Sequence, residues 1–451
     1  MAREKLDGSG RSADSVARNT RALVVGPYLS GRQSPSNGAS ERSAEARFEE
    51  AIGLARAIDL EVVGAEMAHV REIRPATFIG KGKVASLAER VTESGAGLVV
   101  MDCALSPVQQ RNLEKAFSAK VIDRTGLILE IFGRRARTRE GALQVELAHL
   151  AYQKSRLVRS WTHLERQRGG FGFLGGPGET QIESDRRLIQ ERMIRIERDL
   201  EGVKRRRALH RDSRRDVPYP IVALVGYTNA GKSTLFNRLT DATVSARDML
   251  FATLDPTMRA LKLPHGETAI LSDTVGFISD LPTMLISAFR ATLEEVLAAD
   301  LILHVRDIAH ADTAAQSLDV AAILAQLGVT QDQTPVIEVW NKLDKLDVDR
   351  RAGLGPNGAT TAGVQSIAIS ATTGEGIAAL LAAIEAHLAR ERSLIALDID
   401  AADGQGLHWL YENTEVMARD PRSDGSIRLK LRVAPDKMAR LARRFPGVRS
   451  T

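Results

Sequence analysis

The segment GYTNAGKS at residues 226–233 constrains the fold of this chain more than any other feature of its sequence. It fits the pattern G-x-x-x-x-G-K-[ST], directly follows the apolar run IVALV and leads into the helical pattern STLFNRLT. In that pattern a glycine-rich loop joins a strand to a helix, and backbone N–H groups surround phosphates at the positive end of the helix. The sequence therefore predicts an α/β fold, a P-loop domain with a mostly parallel sheet and helices on both faces.

The pattern also assigns roles to residues in and behind the loop. Lys232 is expected to reach the outer phosphates, and the Ser233 hydroxyl is expected to ligate magnesium. In the later segment ILSDTVG, Asp273 would hold the magnesium through water, and the Gly276 amide would contact the third phosphate. The predicted phosphate-binding set is Gly226, Asn229, Ala230, Gly231, Lys232, Ser233, Thr234, Asp273 and Gly276.

Two further segments predict that the bound base is guanine. NKLD at residues 341–344 follows the strand-like run PVIEVW, and Asp344 can accept two hydrogen bonds from the N1–H and 2-amino groups of guanine. Adenine has neither donor and would leave this carboxylate unpaired. We expect Asn341 and Lys342 to brace the loop and cover the ring, and the segment SAT to offer backbone to the guanine carbonyl. The residues of SAT are Ser370, Ala371 and Thr372.

The segment FATLDPT at residues 251–257 is expected to supply a threonine that closes over magnesium and the third phosphate when GTP is bound. We assign this role to Thr253, and the sequence leaves Thr257 open as the alternative. The predicted catalytic residues are Lys232, Thr253 and Gly276, and the predicted metal ligands are Ser233, Thr253 and Asp273.

The sequence leaves the roles of Phe277 and Asn229 open. Phe277 stands where many enzymes of this kind carry a glutamine that aligns the attacking water, and a phenyl ring cannot orient water. Slow intrinsic hydrolysis is therefore expected, with a partner completing the site, and a plain core residue is the alternative for Phe277. Asn229 could help to hold a potassium ion that neutralises transition-state charge, or it could brace the loop.

Composition adds expectations about the setting of the protein. The chain has 451 residues, 43% of them hydrophobic and 26% charged, which suggests about two to four globular domains. Its one cysteine, Cys103, excludes a disulfide framework. No apolar run approaches the roughly 18 residues of a membrane span, and the N-terminus lacks the apolar centre of a signal peptide. We expect a soluble, cytoplasmic protein without a membrane span.

Positive charge is concentrated in residues 134–215, which hold 21 Lys and Arg against 11 Asp and Glu, although the whole chain has a net charge of only +5. Such a block indicates contact with a polyanion, and a solvated helical face rich in ion pairs is the alternative. Apolar spacings of three and four on both sides of the glycine-rich stretch 168–179 predict an antiparallel pair of long helices with a basic, aromatic tip. The RNA-contact candidates at this tip are Arg166, Arg168, Phe171 and Phe173.

The remaining sequence divides around these regions. Short β-branched runs alternate with helical patterns ahead of the hairpin, and a strand-rich segment with one helical pattern ends the chain. The predicted boundaries are 1–20 for a disordered tail, 21–133 for a small α/β domain, 134–216 for the basic helical hairpin, 217–392 for the GTPase domain and 393–451 for a small α+β module.

The order of GYTNAGKSTLFN, FATLDPT, DTVGF, NKLD and SAT resembles the HflX family of GTPases. Upstream segments carry the same resemblance, which extends over about residues 21–392: FIGKGKV, QQRNLE, DRTGLILEIF and GGPGETQIESDRR. The resemblance also implies that the N-terminal half binds ATP. However, GKGK at residues 80–83 lacks the interval and the Ser or Thr of a phosphate loop, which favours a basic turn before a helix.

The resemblance implies a ribosome-associated GTPase that uses GTP and magnesium, binds the large ribosomal subunit and its RNA, and splits or rescues ribosomes under stress. It also implies that the helical insertion approaches ribosomal RNA. A monomer is expected, and no DNA partner. The alternatives are a GTPase of ribosome assembly or RNA modification, and an RNA-binding scaffold with a vestigial GTPase. The intact Lys232, Ser233, Asp273 and Asp344 argue against the scaffold.

Overall fold

We describe the protein from a computed structural model. The described residues are 19–29, 42–167, 177–214, 219–240, 250–251, 257–282, 285, 295–329, 334–352, 354, 365–390, 393–422, 425–433, 435–445 and 449–450. The chain divides into two compact units, one comprising residues 1–261 and 270–375 and the other comprising residues 262–269 and 376–451.

The first unit begins with a parallel four-stranded sheet. Its strands are β1 (Arg21–Leu29), β2 (Glu61–Val70), β3 (Leu98–Met101) and β4 (Lys120–Asp123), in the order β2-β1-β3-β4. The apolar runs of β1 and β3 are buried along nearly their whole length, as expected for strands covered on both faces. The helices between and after these strands are α1 (Ala44–Ala57), α2 (Lys81–Ser94), α3 (Pro107–Phe117) and α4 (Arg124–Arg135). The predicted parallel α/β architecture is confirmed.

The GKGK segment forms the first turn of α2. Gly80 is the N-cap residue of this helix, and its carbonyl oxygen accepts from Val84 N at 3.0 Å, so the helix begins two residues before the predicted KVASLAERV. Lys83 forms an ion pair with Glu66 on β2, and Arg90 binds the same carboxylate at 2.8 Å. The Lys83 side chain of this turn is thus paired with a carboxylate of the neighbouring strand.

Two long helices follow, α5 (Arg139–Gln167) and α6 (Pro177–Arg214). They pack antiparallel around a small apolar cluster of Leu150, Ile196 and Leu200. Arg192 Nε donates to Glu146 at 2.6 Å across the pair. The glycine-rich segment is shorter than predicted because α6 begins at Pro177, where a proline is favourable as a first helical residue.

A six-stranded sheet forms most of the rest of the first unit. Its strands are β5 (Ile221–Gly226), β6 (Thr257–Lys262), β7 (Thr268–Asp273), β8 (Leu301–Asp307), β9 (Val336–Asn341) and β10 (Gln365–Ala368), in the order β10-β9-β8-β5-β7-β6. All of these strands except the edge strand β6 pair in parallel with their neighbours. Helices α7 (Lys232–Thr240), α8 (Thr313–Leu327) and α9 (Val348–Ala352) accompany the sheet. Because parallel strands end at one edge, the segments that follow β5, β7, β9 and β10 meet there.

The second unit contains α10 (Ile377–Arg390) and a four-stranded antiparallel sheet. The strands are β11 (Ser393–Asp400), β12 (Glu415–Pro421), β13 (Ser426–Val433) and β14 (Arg449–Ser450), in the order β12-β13-β11-β14, with helices α11 (Gly404–Asn413) and α12 (Pro435–Arg444). Its core is aliphatic, centred on Leu397, Leu429 and Leu431. This is the predicted α+β character. Within the part of the chain that the structure describes, no helix is long and apolar enough to cross a membrane.

Candidate nucleotide site

The loop between β5 and α7 has the backbone geometry of a phosphate loop. Gly226 has a φ of +152° and Gly231 a φ of +92°. A Cβ atom at Gly226 would lie 2.2 Å from the Val305 carbonyl oxygen, and one at Gly231 would lie 2.2 Å from Asn341 Nδ2. Asn229 also adopts a left-handed φ, of +59°. Glycine is therefore required at both ends of the loop, where the chain turns and where another side chain approaches.

Asn341 joins the phosphate loop to the segment after β10. Its Nδ2 donates to the Ala230 carbonyl oxygen at 2.8 Å, and its Oδ1 accepts from Ala371 N at 3.0 Å. The side chain is only 2% exposed, so both bonds are shielded from water. One amide group thereby fixes the spacing between two loops of the site.

The NKLD and SAT segments lie together at one corner of the site. Ser370 Oγ donates to Asp344 Oδ1 at 2.6 Å, which orients the carboxylate. Lys342 has a left-handed φ of +68°, and its ammonium group lies 2.8 Å from Asp307 at the end of β8. The remaining predicted residue of this corner, Thr372, lies in the turn after β10, where its carbonyl oxygen accepts from Arg238.

Lys232 is the first residue of α7 and points back into the loop. Its ammonium group donates to the carbonyl oxygens of Gly226 at 3.1 Å and Tyr227 at 2.8 Å. Burial lowers the pKa of this amine to about 8, against the opposing effect of Asp273. The amine is thus held in a poorly solvated position in which a phosphate group would stabilise its charged form.

Ser233 and Asp273 are brought together behind the loop. Ser233 Oγ donates to Asp273 Oδ2 at 2.8 Å, and the carboxylate is fully buried. Thr234 lies next to them in the first turn of α7. Thr257 is the first residue of β6, whereas Thr253 lies outside the described residues.

The DTVGF segment is bonded to the phosphate loop through its backbone. Phe277 N donates to the Gly226 carbonyl oxygen at 3.1 Å, and Thr228 N donates to the Phe277 carbonyl oxygen at 2.7 Å. The Phe277 side chain is 2% exposed and belongs to the main apolar core. A Cβ atom at Gly276 would lie 3.1 Å from Lys232 Nζ. The structure therefore favours the core role for Phe277 and leaves little room at Gly276 for any side chain.

Residues of the N-terminal region contact this site, and sequence reasoning did not identify them. Glu50 on α1 accepts hydrogen bonds from the Tyr227 hydroxyl and from Arg124 Nη2, the latter at 2.5 Å. Ser279 N donates to the Tyr227 hydroxyl at 2.8 Å. Arg42 Nη1 donates to the Tyr227 hydroxyl and to Ser279 Oγ, both at 2.8 Å. The phosphate loop and the segment after DTVGF are thus bonded to the same cluster of charges.

This cluster is buried and internally paired. Arg124 also donates to Asp102 Oδ1 at 2.6 Å, and the Arg124, Glu50 and Asp102 side chains are 8%, 7% and 2% exposed. Burial acts against the charged form of Glu50, but Arg124 and Arg42 outweigh it and lower the pKa of that carboxyl. Burial likewise opposes the charge of Arg124, and Asp102 and Glu50 nevertheless raise its pKa. The available sequence signal was DRTGLILEIF, which contains Arg124.

Asn229 lines a cavity of about 320 Å³ between α1 and the outer side of the phosphate loop. Arg56 and Glu49 of α1 also line this cavity. Of the predicted RNA-contact residues, Arg166 lies in the last turn of α5 with its side chain outside the described set. Arg168, Phe171 and Phe173 lie outside the described residues altogether.

The fold and this site define a P-loop GTPase. Family models match the chain in sequence: "GTP-binding GTPase N-terminal" over residues 45–133, "GTP-binding GTPase Middle Region" over 135–214, "50S ribosome-binding GTPase" over 221–342 and "HflX C-terminal domain" over 344–450.

Curated proteins named GTPase HflX are similar over most of their length. The one from Magnetococcus marinus is 48% identical over 398 residues, which is 87% of this chain and 89% of that protein. The one from Escherichia coli is 44% identical over 83% of this chain and 86% of its own. The one from Caldanaerobacter subterraneus is 44% identical over 80% and 81%. The chain therefore belongs to the HflX family of P-loop GTP hydrolases, which confirms the resemblance of its motifs.

Proposed function

We propose that this protein hydrolyses GTP slowly on its own, associates with the large ribosomal subunit, and splits or rescues ribosomes, with stress as the trigger. The observation that carries the proposal is the state of Phe277. A fully packed phenyl ring follows Gly276, at the position where a water-aligning side chain would stand. The residues proposed to bind the phosphates and the base are intact in the sequence, so the missing part of the reaction is attributed to a partner.

Guanine recognition rests on Asp344. Its carboxylate would accept from the N1–H and 2-amino groups of guanine, with Ser370 holding its orientation. Asn341 and Lys342 would keep this corner in place against the phosphate loop, through the contacts with Ala230 and Asp307. GTP and GDP share the base, so both should bind through the same contacts.

Magnesium fits the donors behind the loop. Ser233 Oγ and the Asp273 carboxylate are oxygen donors 2.8 Å apart, and magnesium prefers oxygen ligands. In the proposed complex Ser233 would ligate the ion and Asp273 would hold it through water, with Thr253, or alternatively Thr257, as the switch ligand. When bound, the ion would neutralise charge on the phosphates.

The test of the proposal compares GTP hydrolysis with and without large ribosomal subunits. We expect a low rate from the protein alone and a rise of several orders of magnitude with the subunits, as when a partner completes other GTPase sites, where about 10³–10⁵ is usual. Small subunits at equal concentration are the control. A high rate from the isolated protein would refute the idea that a partner completes the site.

Splitting is tested separately by sucrose-gradient sedimentation of whole ribosomes with the protein and GTP, GDP or a non-hydrolysable analogue. We expect whole ribosomes to convert to subunits with GTP and with the analogue, and to stay intact with GDP. Intact ribosomes in all three cases, with the protein bound to subunits only, would favour the alternative role in assembly.

Contact with ribosomal RNA is proposed for the end of the hairpin. Replacing Arg166→Gln and Arg168→Gln together should abolish co-sedimentation with large subunits at physiological salt. The matched control is Arg195→Gln with Arg198→Gln, which removes the same charge from exposed positions of α6. Equal binding by the two double variants would count against a specific role for the tip.

A potassium ion beside Asn229 is part of the proposal and has its own test. We expect GTP hydrolysis to be faster in potassium than in sodium, and Asn229→Ala to remove the difference. Identical rates of the unmodified protein in the two salts would leave Asn229 as a residue that braces the loop.

A further inference from the structure

Helix α4 contacts both segments on the third-phosphate side of the site. Its first residue, Arg124, donates from Nη2 to the Ser279 carbonyl oxygen at 3.1 Å and to its Oγ at 3.3 Å. About two turns later, the Phe132 ring packs edge to face on Phe251, with centroids 4.7 Å apart and planes at 74°. Ser279 follows DTVGF, and Phe251 opens FATLDPT. One helix therefore touches both segments that are predicted to contact the third phosphate. We call FATLDPT and DTVGF, with the residues that directly follow DTVGF, the switch segments.

Both contacts are buried and specific. Phe251 is 2% exposed and has a left-handed φ of +55°, a conformation that a phenylalanine keeps only when its surroundings hold it. Arg124 lies between Glu50 and Asp102 and cannot leave Ser279 without disturbing paired buried charges. A displacement of α4 would therefore move both segments.

The N-terminal end of α4 is fixed in turn by the hairpin. Asp123 is the N-cap residue, and its Oδ1 accepts from Gly126 N at 2.9 Å. The same carboxylate accepts from the Tyr152 hydroxyl at 2.5 Å and from Arg156 Nη2 at 2.6 Å, both on α5. The Arg156 guanidinium also lies over the Tyr152 ring, 4.2 Å from its centroid. Two adjacent turns of α5 thus hold the cap of α4.

The packing at this junction is close. A Cβ atom at Gly126 would lie 3.1 Å from the Tyr152 hydroxyl oxygen and 2.9 Å from Ile122 Cγ1. Asp123 and Arg124 are neighbours in the chain, so the residue bound by the hairpin and the residue bound to Ser279 share a peptide unit. A shift of α5 is therefore transmitted to Arg124 through one covalent link.

We propose that α4 couples the basic hairpin to the switch segments, so that a polyanion bound along the hairpin alters the nucleotide site through Tyr152, Arg156, Asp123 and Arg124. Tyr152 and Arg156 are positioning residues in this proposal, since they act through α4. The part of the proposal that names RNA as the polyanion rests on the proposed function. The coupling between nucleotide and hairpin does not, because it is a property of the chain alone.

Coupling is reciprocal, so the nucleotide must change the hairpin. The test measures amide hydrogen exchange of residues 139–157 in the full chain, with GDP and with a non-hydrolysable GTP analogue. In the unmodified protein we expect exchange at these amides to differ between the nucleotides by about fivefold, the lower end of usual couplings. In the double variant Tyr152→Phe with Arg156→Gln the ratio should fall towards one.

Arg192→Gln is the matched control. It also removes one positive charge and one ion pair of the hairpin, but its partner is Glu146 within the hairpin itself. This variant should keep the nucleotide-dependent ratio of the unmodified protein. Tyr152→Phe alone loses only a hydroxyl group and replaces the double variant if that protein does not fold. Equal exchange with both nucleotides in the unmodified protein, or an unchanged ratio in the variant, overturns the proposal.

A second measurement connects the coupling to the partner. Stimulation of GTP hydrolysis by large subunits should drop at least about fivefold in the double variant, while hydrolysis by the protein alone and co-sedimentation stay unchanged. Unaltered stimulation contradicts the proposal. If large subunits do not stimulate even the unmodified protein, the proposed function fails, and the exchange experiment still decides whether α4 couples the two regions.

Discussion

The two ends of the nucleotide site are held by different parts of the first unit. At the end proposed to bind guanine, called the guanine end, Asp344 and Asn341 are bonded to Ser370 and Ala371, all at one edge of the six-stranded sheet. At the third-phosphate end, Ser279 and the phosphate loop are bonded to α1 and α4, which belong to the N-terminal sheet region.

Recognition of the base and hydrolysis at the third phosphate are therefore expected to depend on different parts of the chain. Among the described residues, the side-chain bonds of Asn341, Lys342 and Asp344 all lie within the six-stranded sheet and its loops, so we expect the geometry of this end to be independent of the N-terminal region. The third-phosphate end shares buried charges with that region, so its geometry does depend on it. Substitutions at the two ends should therefore have effects of different kinds.

The largest effect is expected from Glu50→Ala. The change removes the carboxylate shared by Arg42 and Arg124 and leaves the two buried guanidinium groups with only the carboxylates of Asp312 and Asp102, and breaking such a buried pair costs about 3–5 kcal/mol. The free energy of unfolding, measured by urea denaturation without nucleotide, should fall by this amount.

The control for Glu50 is Glu49→Ala, on the adjacent, exposed position of the same helix. It should change the free energy of unfolding by less than about 0.5 kcal/mol. Equal losses in the two variants would mean that the buried network does not join the N-terminal region to the site.

At the other end, Asp344→Asn should act on binding and leave folding almost unchanged. The amide cannot accept both guanine hydrogen bonds as a carboxylate does, and the loss of charge-assisted bonds should weaken GTP binding by about 3 kcal/mol, roughly 100-fold. Xanthine has a carbonyl group in place of the 2-amino group, so xanthosine triphosphate should gain affinity. Titration of the variant with both nucleotides measures this, and an unchanged preference for GTP would exclude the role of Asp344.

The guanine end could be predicted from the sequence because its information is local. NKLD begins at the end of β9 and SAT follows β10, and parallel strands bring such segments to one edge of the sheet. The contacts between the third-phosphate end and the N-terminal region could not be predicted in this way. Arg124 and Ser279 are 155 residues apart, and no local pattern distinguishes an arginine that will be buried and paired from one on the surface. The early start of α6 at Pro177 was missed because its glycine-rich surroundings indicate a loop.

The pH dependence of nucleotide binding should report on the phosphate loop alone. Burial lowers the pKa of Lys232 to about 8, so the free protein loses this proton above pH 8 and must regain it to bind phosphate. GTP affinity should therefore fall by up to about tenfold per pH unit above 8, or about 1.4 kcal/mol.

Titration calorimetry in two buffers of different ionisation enthalpy measures the number of protons that are taken up when the nucleotide binds. Binding should take up more protons at pH 8.5 than at pH 7, as a Lys232 pKa of about 8 requires. Lys232→Met should remove the uptake at both pH values. Equal uptake at pH 7 and 8.5 would contradict the lowered pKa.

The smallest effects are expected from two serine substitutions, each of which deletes one hydroxyl group at one end of the site. Ser370→Ala removes the hydrogen bond to Asp344 and should weaken GTP and GDP equally, by about 1 kcal/mol or fivefold, since both nucleotides carry the base. Ser279→Ala removes the Oγ contacts with Arg42, Arg124 and Glu50 and should leave GDP affinity unchanged. It should change GTP affinity, because only GTP has the third phosphate that DTVGF is proposed to contact. Parallel titrations of both variants with both nucleotides give the two ratios. If Ser279→Ala changes the affinities for GDP and GTP equally, the third-phosphate end is not separate from the rest of the site. That result would also contradict the coupling assigned to α4.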